Sequence, residues 1–202
     1  MMNKKKYLDK EKWYKEYYEA HYKNKNIKRD DLFNKETLFQ QLASKKCFIN
    51  SLSKIYLNKN NSRIIDIGCG SSSKLIDLVS LGFKQKNLYG IDINESDINF
   101  SKMNYPLLNL SCQNATKLDF KDNFFDLTYE STMFVQITNE EISQNIAREM
   151  VRVTKKNGFI IIFDWRFQKF KNPNFLTCDQ KRIQKIFSIN KSTKLISKEN
   201  GI

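Results

Sequence analysis

The sequence predicts a three-layer α/β fold, a doubly wound and mainly parallel sheet, preceded by an N-terminal helical extension. Three observations point there. From residue 61 onward, short apolar runs alternate with helix-patterned segments of about 10–16 residues, which is how strand–helix–strand units read in sequence. The runs are apolar at consecutive positions, as in RIIDIG and FIIIF, and this suits strands covered on both faces. Residues 3–57 instead contain no Gly or Pro and are dense in Lys, Glu, Leu, Phe and Tyr, a helical composition. The chain therefore divides into a helical cap over 1–60 and an α/β domain over 61–202.

Within the cap, Trp13, Tyr17 and His21 recur every fourth residue, and Tyr14, Tyr18 and Tyr22 repeat the pattern one position on. Together they make one broad aromatic helix face. A second helical run carries Leu38, Leu42, Phe48, Leu52, Ile55 and Tyr56 and leads to a turn at Asn58–Ser62. The first strand is expected at 62–67, followed by a helix ending at Gly82. A strand at 87–92, a helix over ESDINFSKMN and strands at 108–112 and 124–129 come next. The helix that begins at NEEIS has Gly158 just beyond its expected end. After it come a strand at 158–164, a helix over DQKRIQKIF and a last strand at 193–198.

Composition excludes several classes. No apolar run approaches the roughly 20 residues that span a bilayer, and the longest, Phe159 to Phe163, is strand-sized. The basic N-terminus lacks the apolar stretch of a secretory signal. Cys47, Cys69, Cys112 and Cys178 show no metal-ligand spacing, and His21 is the only histidine, so no metal site is expected. Reduced cysteines and a cytoplasmic location follow. The formal charge of +13 is uneven: residues 1–60 carry +8, residues 61–165 carry −2 and residues 166–202 carry +7. The basic residues are 29 Lys and only 6 Arg, whereas Arg is favoured for bidentate phosphate and base recognition. A nucleic-acid partner is therefore not the favoured reading, although basic flanks are compatible with one.

The most informative stretch is Ile64-Ile65-Asp66-Ile67-Gly68-Cys69-Gly70-Ser71-Ser72-Ser73. An apolar strand runs into a glycine turn and then a helix, at the strand end where open α/β sheets bind ligands. Glycine there permits tight backbone conformations and close ligand approach. Asp92 ends the next strand, where a carboxylate can accept from both hydroxyls of a ribose. Turn and carboxylate together describe an adenosine-bearing cofactor lying across the strand ends. A dinucleotide turn calls for GxGxxG so that a pyrophosphate can sit at the helix N-terminus. Here Ser73 takes the third glycine's place and Asp66 sets a negative charge beside the turn, better suited to a ligand with an amino group and a sulfonium. No GxxxxGK[ST] phosphate loop is present.

These residues resemble the class I S-adenosylmethionine-dependent methyltransferases, with their Rossmann-like fold, over about residues 61 to 190. The first motif is matched by Asp66, Gly68, Cys69 and Gly70, with Ser72 at its third small position. The resemblance implies that Asp92 and the adjoining Ile93 meet the ribose and adenine, and that Asn114 and Ala115 read the adenine. Asn114 stands where the family usually has Asp, and its side-chain oxygen would accept from the exocyclic amine. Glu130, at the end of the fourth strand, matches the position lining the methionine arm. S-adenosylmethionine would be the methyl donor and S-adenosylhomocysteine the product. The transfer is then an in-line displacement resting mainly on proximity and orientation. A base is needed only for a protonated nucleophile, and Glu130, Asp164 and His21 are the candidates.

N-terminal helices often cover the pocket in this family, which makes Trp13 and Tyr17 candidates for substrate contact, with Arg166 at the end of the fifth strand. No Asn-Pro-Pro-aromatic motif follows the fourth strand, which argues against methylation of nucleobases or glutamine. The acceptor is expected to be a small molecule, in the sugar or polysaccharide-precursor class. An RNA-directed methyltransferase and a non-catalytic adaptor that keeps the fold are the alternatives. The family's sheet has seven strands, and here the seventh is missing. That leaves a shortened chain, or a homodimer in which a second protomer closes the open sheet edge.

Overall fold

The structure is a computed structural model, and it describes residues 35–167 and 175–187. The aromatic cap face with Trp13, Tyr17 and His21, and the strand expected at 193–198, lie outside the described residues. The chain divides into two units, residues 51–198 and residues 1–50 with 199–202. Helix α1 (Lys35–Leu52) runs through the end of the smaller unit and leaves Leu38, Phe39 and Leu42 exposed.

In the larger unit five strands form one sheet: β1 (Ile64–Ile67), β2 (Leu88–Asp92), β3 (Asn109–Cys112), β4 (Phe125–Ser131) and β5 (Thr154–Phe163). Their order is β3-β2-β1-β4-β5, and every pairing is parallel. Helices α2 (Ser73–Ser80), α3 (Glu95–Asn104) and α4 (Glu140–Val153) make the crossovers, and α5 (Gln180–Phe187) follows β5. The α/β expectation of a parallel, doubly wound sheet is met, with five strands among the described residues. Strand order reverses between β1 and β4, which puts the topological switch point beside the glycine turn. One core cluster gathers Ile65, Ile67, Ile91, Phe125, Phe134, Met150 and Val153, with Ile65 and Ile67 on the same face of β1. No described helix is long and apolar enough to cross a membrane.

Local chemistry explains the boundaries. Gly82, at φ +94°, ends α2: its N–H donates to Val79 O and the Phe83 N–H to Leu78 O, a Schellman stop. Asn94 caps α3 by accepting from the Ser96 N–H at 3.1 Å. The helix expected to run to Gly158 stops earlier, at Val153. Thr154 breaks it, because its hydroxyl pairs with that of Thr128 on β4 at 2.7 Å and with Met150 O at 2.6 Å, which draws the chain into the sheet. Lys155 to Gly158 then bulge out between the Phe125–Thr154 and Leu127–Phe159 pairs, with Asn157, not glycine, at φ +66°.

Candidate functional site

The carboxyl ends of the parallel strands bring together Asp66 and the glycine turn from β1, Asp92 from β2, Asn114 after β3, Glu130 from β4 and Asp164 after β5. The turn carries three left-handed residues in five positions: Gly68 at φ +78°, Gly70 at +48° and Ser72 at +65°. Ser72 is wholly buried there, so the position that departs from glycine in sequence still adopts the backbone a glycine would. The Gly68 and Cys69 N–H groups both donate to Ile91 O, at 2.8 and 2.9 Å, which ties the turn to the end of β2. Cys69 is buried, and burial pushes its thiol well above the ordinary cysteine value. Its Sγ lies 2.9 Å from where a Cβ on Gly90 would stand, so Cys69 shapes the turn through its backbone while its thiol faces inward.

Asp92 is the best-placed residue of the site. Its Oδ2 accepts from the Gly70 N–H and its Oδ1 from the Asn94 N–H, each at 2.8 Å. One lone pair on each oxygen is thereby fixed and one on each remains, as two ribose hydroxyls require. A Cβ on Gly70 would meet nothing within 4 Å, so the turn is open directly beside this carboxylate. Ile93 is 54% exposed next to it, an apolar side chain available to the face of a base. These residues fit an adenosine.

Asn114 is exposed, but its Oδ1 already accepts from the Thr116 N–H at 3.0 Å and the Thr116 hydroxyl at 2.8 Å. Both lone pairs are used. As this turn stands, Asn114 presents its amide N–H groups rather than the acceptor expected for an exocyclic amine. Ala115 packs against the core beside it. Arg152 steadies this connection by donating to Leu118 O, Phe120 O and the Asp122 and Glu149 carboxylates.

The β1–β4–β5 side is buried. Asp66 is 2% exposed, and burial raises its carboxyl to about 7 although the neighbouring Tyr129 hydroxyl pulls it down. The full negative charge expected beside the turn is therefore only partly present at neutral pH. Glu130 is 0% exposed. Its Oε2 accepts from the Met133 and Phe134 N–H groups at 2.9 and 3.4 Å, while Oε1 has no partner. Burial, reinforced by Asp164, lifts its carboxyl well above the ordinary glutamate value. Asp164 accepts from the Val135 N–H and the Cys178 thiol through Oδ2, and from the Trp165 N–H through Oδ1. Burial raises it to about 6. Both carboxyls are thus harder to ionise than exposed ones, and Glu130, wholly buried, is not open to a ligand as the turn above it stands. Arg166 lies at the same edge with its guanidinium 5.3 Å from the Phe167 ring. No group of three His, Cys, Asp or Glu side chains among the described residues is placed to hold a metal ion.

Sequence reasoning missed the residues that hold this buried side down. Arg182 on α5 is 7% exposed and donates to Phe134 O, Leu176 O, Ile137 O, Ser143 Oγ and Glu140 Oε1. It also contacts the Cys178 Sγ at 3.1 Å. Its signal in sequence is rarity, one of 6 Arg against 29 Lys.

Comparison with known proteins agrees with this geometry. A demethylmenaquinone methyltransferase from Streptomyces avermitilis is 30% identical over 105 residues, which cover 51% of this chain and 42% of the relative. One from Bacillus cereus is 27% identical over 139 residues, covering 66% and 56%. The chain thus spans about half the length of the curated relatives it matches. The PH0226 protein of Pyrococcus horikoshii shares the fold at a TM-score of 0.64 and 15% identity, over 84% of this chain and 88% of that one. The model of the methyltransferase domain matches residues 58–199. With that match laid over the strand-end turn, its open glycine and the paired donors on Asp92, the chain belongs to the family of methyltransferase domains.

Proposed function

We propose that this protein binds S-adenosylmethionine along the carboxyl ends of β3, β2 and β1 and transfers its methyl group to a small-molecule acceptor. The observation that carries the reading is the Asp92 carboxylate, aimed by the Gly70 and Asn94 N–H groups beside a glycine with open space. When bound, the cofactor supplies an activated methyl group on a sulfonium. The protein's part is to bind and orient. Asp92 accepts from the ribose hydroxyls, Ile93 lies against the base, and Asn114 donates to a ring nitrogen. Gly68 and Gly70 let the backbone come close, and Asp66 sits beneath them as a partly ionised carboxyl.

The acceptor reading rests on the relatives, named for demethylmenaquinone, and on the edge after β5. There Trp165 and Phe167 are 56% and 76% exposed beside Arg166. Two exposed rings and a guanidinium suit a flat ring bearing an anionic oxygen better than the sugar expected from sequence. Four cysteines that are all free thiols suit a cytoplasmic protein.

The test is calorimetric titration with S-adenosylhomocysteine, with NADH as control, followed by transfer of radiolabelled methyl to demethylmenaquinone or to a free sugar. Binding of S-adenosylhomocysteine alone and label on the quinone are expected. No binding by folded protein overturns the cofactor reading, and label on the sugar alone overturns the acceptor reading.

A further inference from the structure

The two glycines of the turn differ in what fills the space their missing side chains leave. A Cβ on Gly70 would meet nothing within 4 Å, whereas one on Gly68 would stand 3.2 Å from each of Cβ, Cγ and Sδ of Met133. This contrast bears on the cofactor reading above, on which the inference rests. With its ribose on Asp92 and its base toward Asn114, the ligand's remaining arm must run the other way, past Gly70 and Gly68 toward the switch point. There the Met133 side chain already lies on Gly68.

Met133 belongs to a turn held in an unusual way. Thr132 has φ +61°, a conformation that β-branched residues rarely adopt. It is kept there by its N–H on Phe163 O at 2.9 Å and by the Gln136 side chain on its carbonyl at 2.7 Å. The next three N–H groups donate to two carboxyls, one from β4 and one just after β5: Met133 and Phe134 to Glu130, Val135 to Asp164. Around these carboxyls stand Asp66 from β1, Cys178 before α5 and Arg182 on it. Glu130 Oε1 is left buried without a partner. The turn is thus a strained segment fastened at a few points, which is how two-position elements are built. Methionine is unbranched and flexible, so Met133, only partly buried where it packs against the core, has other rotamers open to it.

We propose that Met133 gates the amino-acid half of the cofactor site: the adenosine half seats on Gly70 and Asp92 unaided, and the arm gains Gly68 only when the Thr132–Gln136 turn carries Met133 aside. Glu130 and Asp164 are positioning residues for that turn.

The experiment compares adenosine with S-adenosylhomocysteine on the full chain and on Met133→Ala and Met133→Leu, by calorimetry. If the open turn is populated at about one part in ten, Met133→Ala tightens S-adenosylhomocysteine about tenfold. Adenosine affinity stays unchanged, and Met133→Leu, which keeps the bulk, stays near wild type for both ligands. Unchanged or weaker binding of S-adenosylhomocysteine by Met133→Ala, with adenosine still bound, overturns the gate. Wild-type protein that binds neither ligand overturns the cofactor reading, and the gate with it. A second measurement needs no destabilising variant. In methyl-13C-methionine protein, the Met133 signal, assigned through Met133→Leu, shifts with S-adenosylhomocysteine and holds still with adenosine. A signal that holds still with both, while both bind, overturns the proposal.

Discussion

Asp92 and Glu130 end the two strands that flank β1, one on each side, and the protein treats the two carboxyls in opposite ways. Asp92 is partly exposed, both of its oxygens are aimed by main-chain donors, and the glycine beside it is open. Glu130 is wholly buried, one oxygen holds down a turn and the other has no partner. The difference separates recognition from access. The β2–β3 side is preorganised, so ligand binding there requires little rearrangement. The β4–β5 side stores strain and raised carboxyl pKa values under a cover, the arrangement expected where something must move.

The strongest way to break the covered side is Arg182→Ala. It would leave Phe134, Leu176 and Ile137 carbonyls and Glu140 without their buried partner, and a loss of about 3–5 kcal/mol is expected. Urea unfolding checks it, and a loss within measurement error would mean that the covered side stands without α5. Next comes Asp92→Ala on the open side. S-adenosylhomocysteine binding should weaken by about 1.5–3 kcal/mol, the range for hydrogen bonds to a charged group, measured where urea unfolding shows the variant folded, since the Gly70 and Asn94 N–H groups also lose their acceptor. Equal affinity would mean that the ribose lies elsewhere.

A pH profile sharpens the comparison further. Asp66 at about 7 and Asp164 at about 6 both lie above the 3.8 of an unfolded aspartate, so the folded chain holds more protons between those limits. The stability they contribute is therefore complete below the unfolded value and is lost as pH rises through 6 and 7. The slope is about 1.4 kcal/mol per pH unit for each proton of difference. Urea midpoints should fall from about pH 4 to about pH 7 and level off above, and Asp66→Asn should flatten the part between about 6 and 7. A parallel wild-type profile would show Asp66 to be ionised. The smallest effect expected is that of Asn114→Ala, which removes an internal turn bond and one donor. A loss of about 0.5–1.5 kcal/mol in cofactor binding, read by the same titration, is the outcome, and a larger one would restore a direct acceptor role.

What could be read without the structure was whatever main-chain geometry writes into local sequence. The strand ends, Gly68, Gly70 and Asp92 announce themselves because an isoleucine run must stop at a glycine for the chain to turn back. Helix α3 was legible as the segment ESDINFSKMN, and the structure adds that the residue before it, Asn94, caps it. The end of α4 was not, because Thr154 is taken from the helix by Thr128, a residue 26 positions away. Asn114 follows β3 as expected, but its side-chain oxygen is engaged by Thr116 two residues on, a turn bond that composition does not reveal. Met133, Thr132 and Arg182 had no motif to mark them. Their meaning lies in what β4, β5 and α5 bring together, and only the scarcity of arginine hinted at the last.

The strand order has a consequence for how the protein is made. Among the described residues β1 is the first strand to leave the ribosome, but one of its two neighbours comes much later, since Ile64 pairs with Leu127, 63 residues further along. At about 5–20 residues per second, that interval is several seconds of synthesis. Throughout it, Ile-Ile-Asp-Ile lacks the β4 partner that pairs it in the sheet, so the same interleaving that builds the switch point delays completion of the central strand.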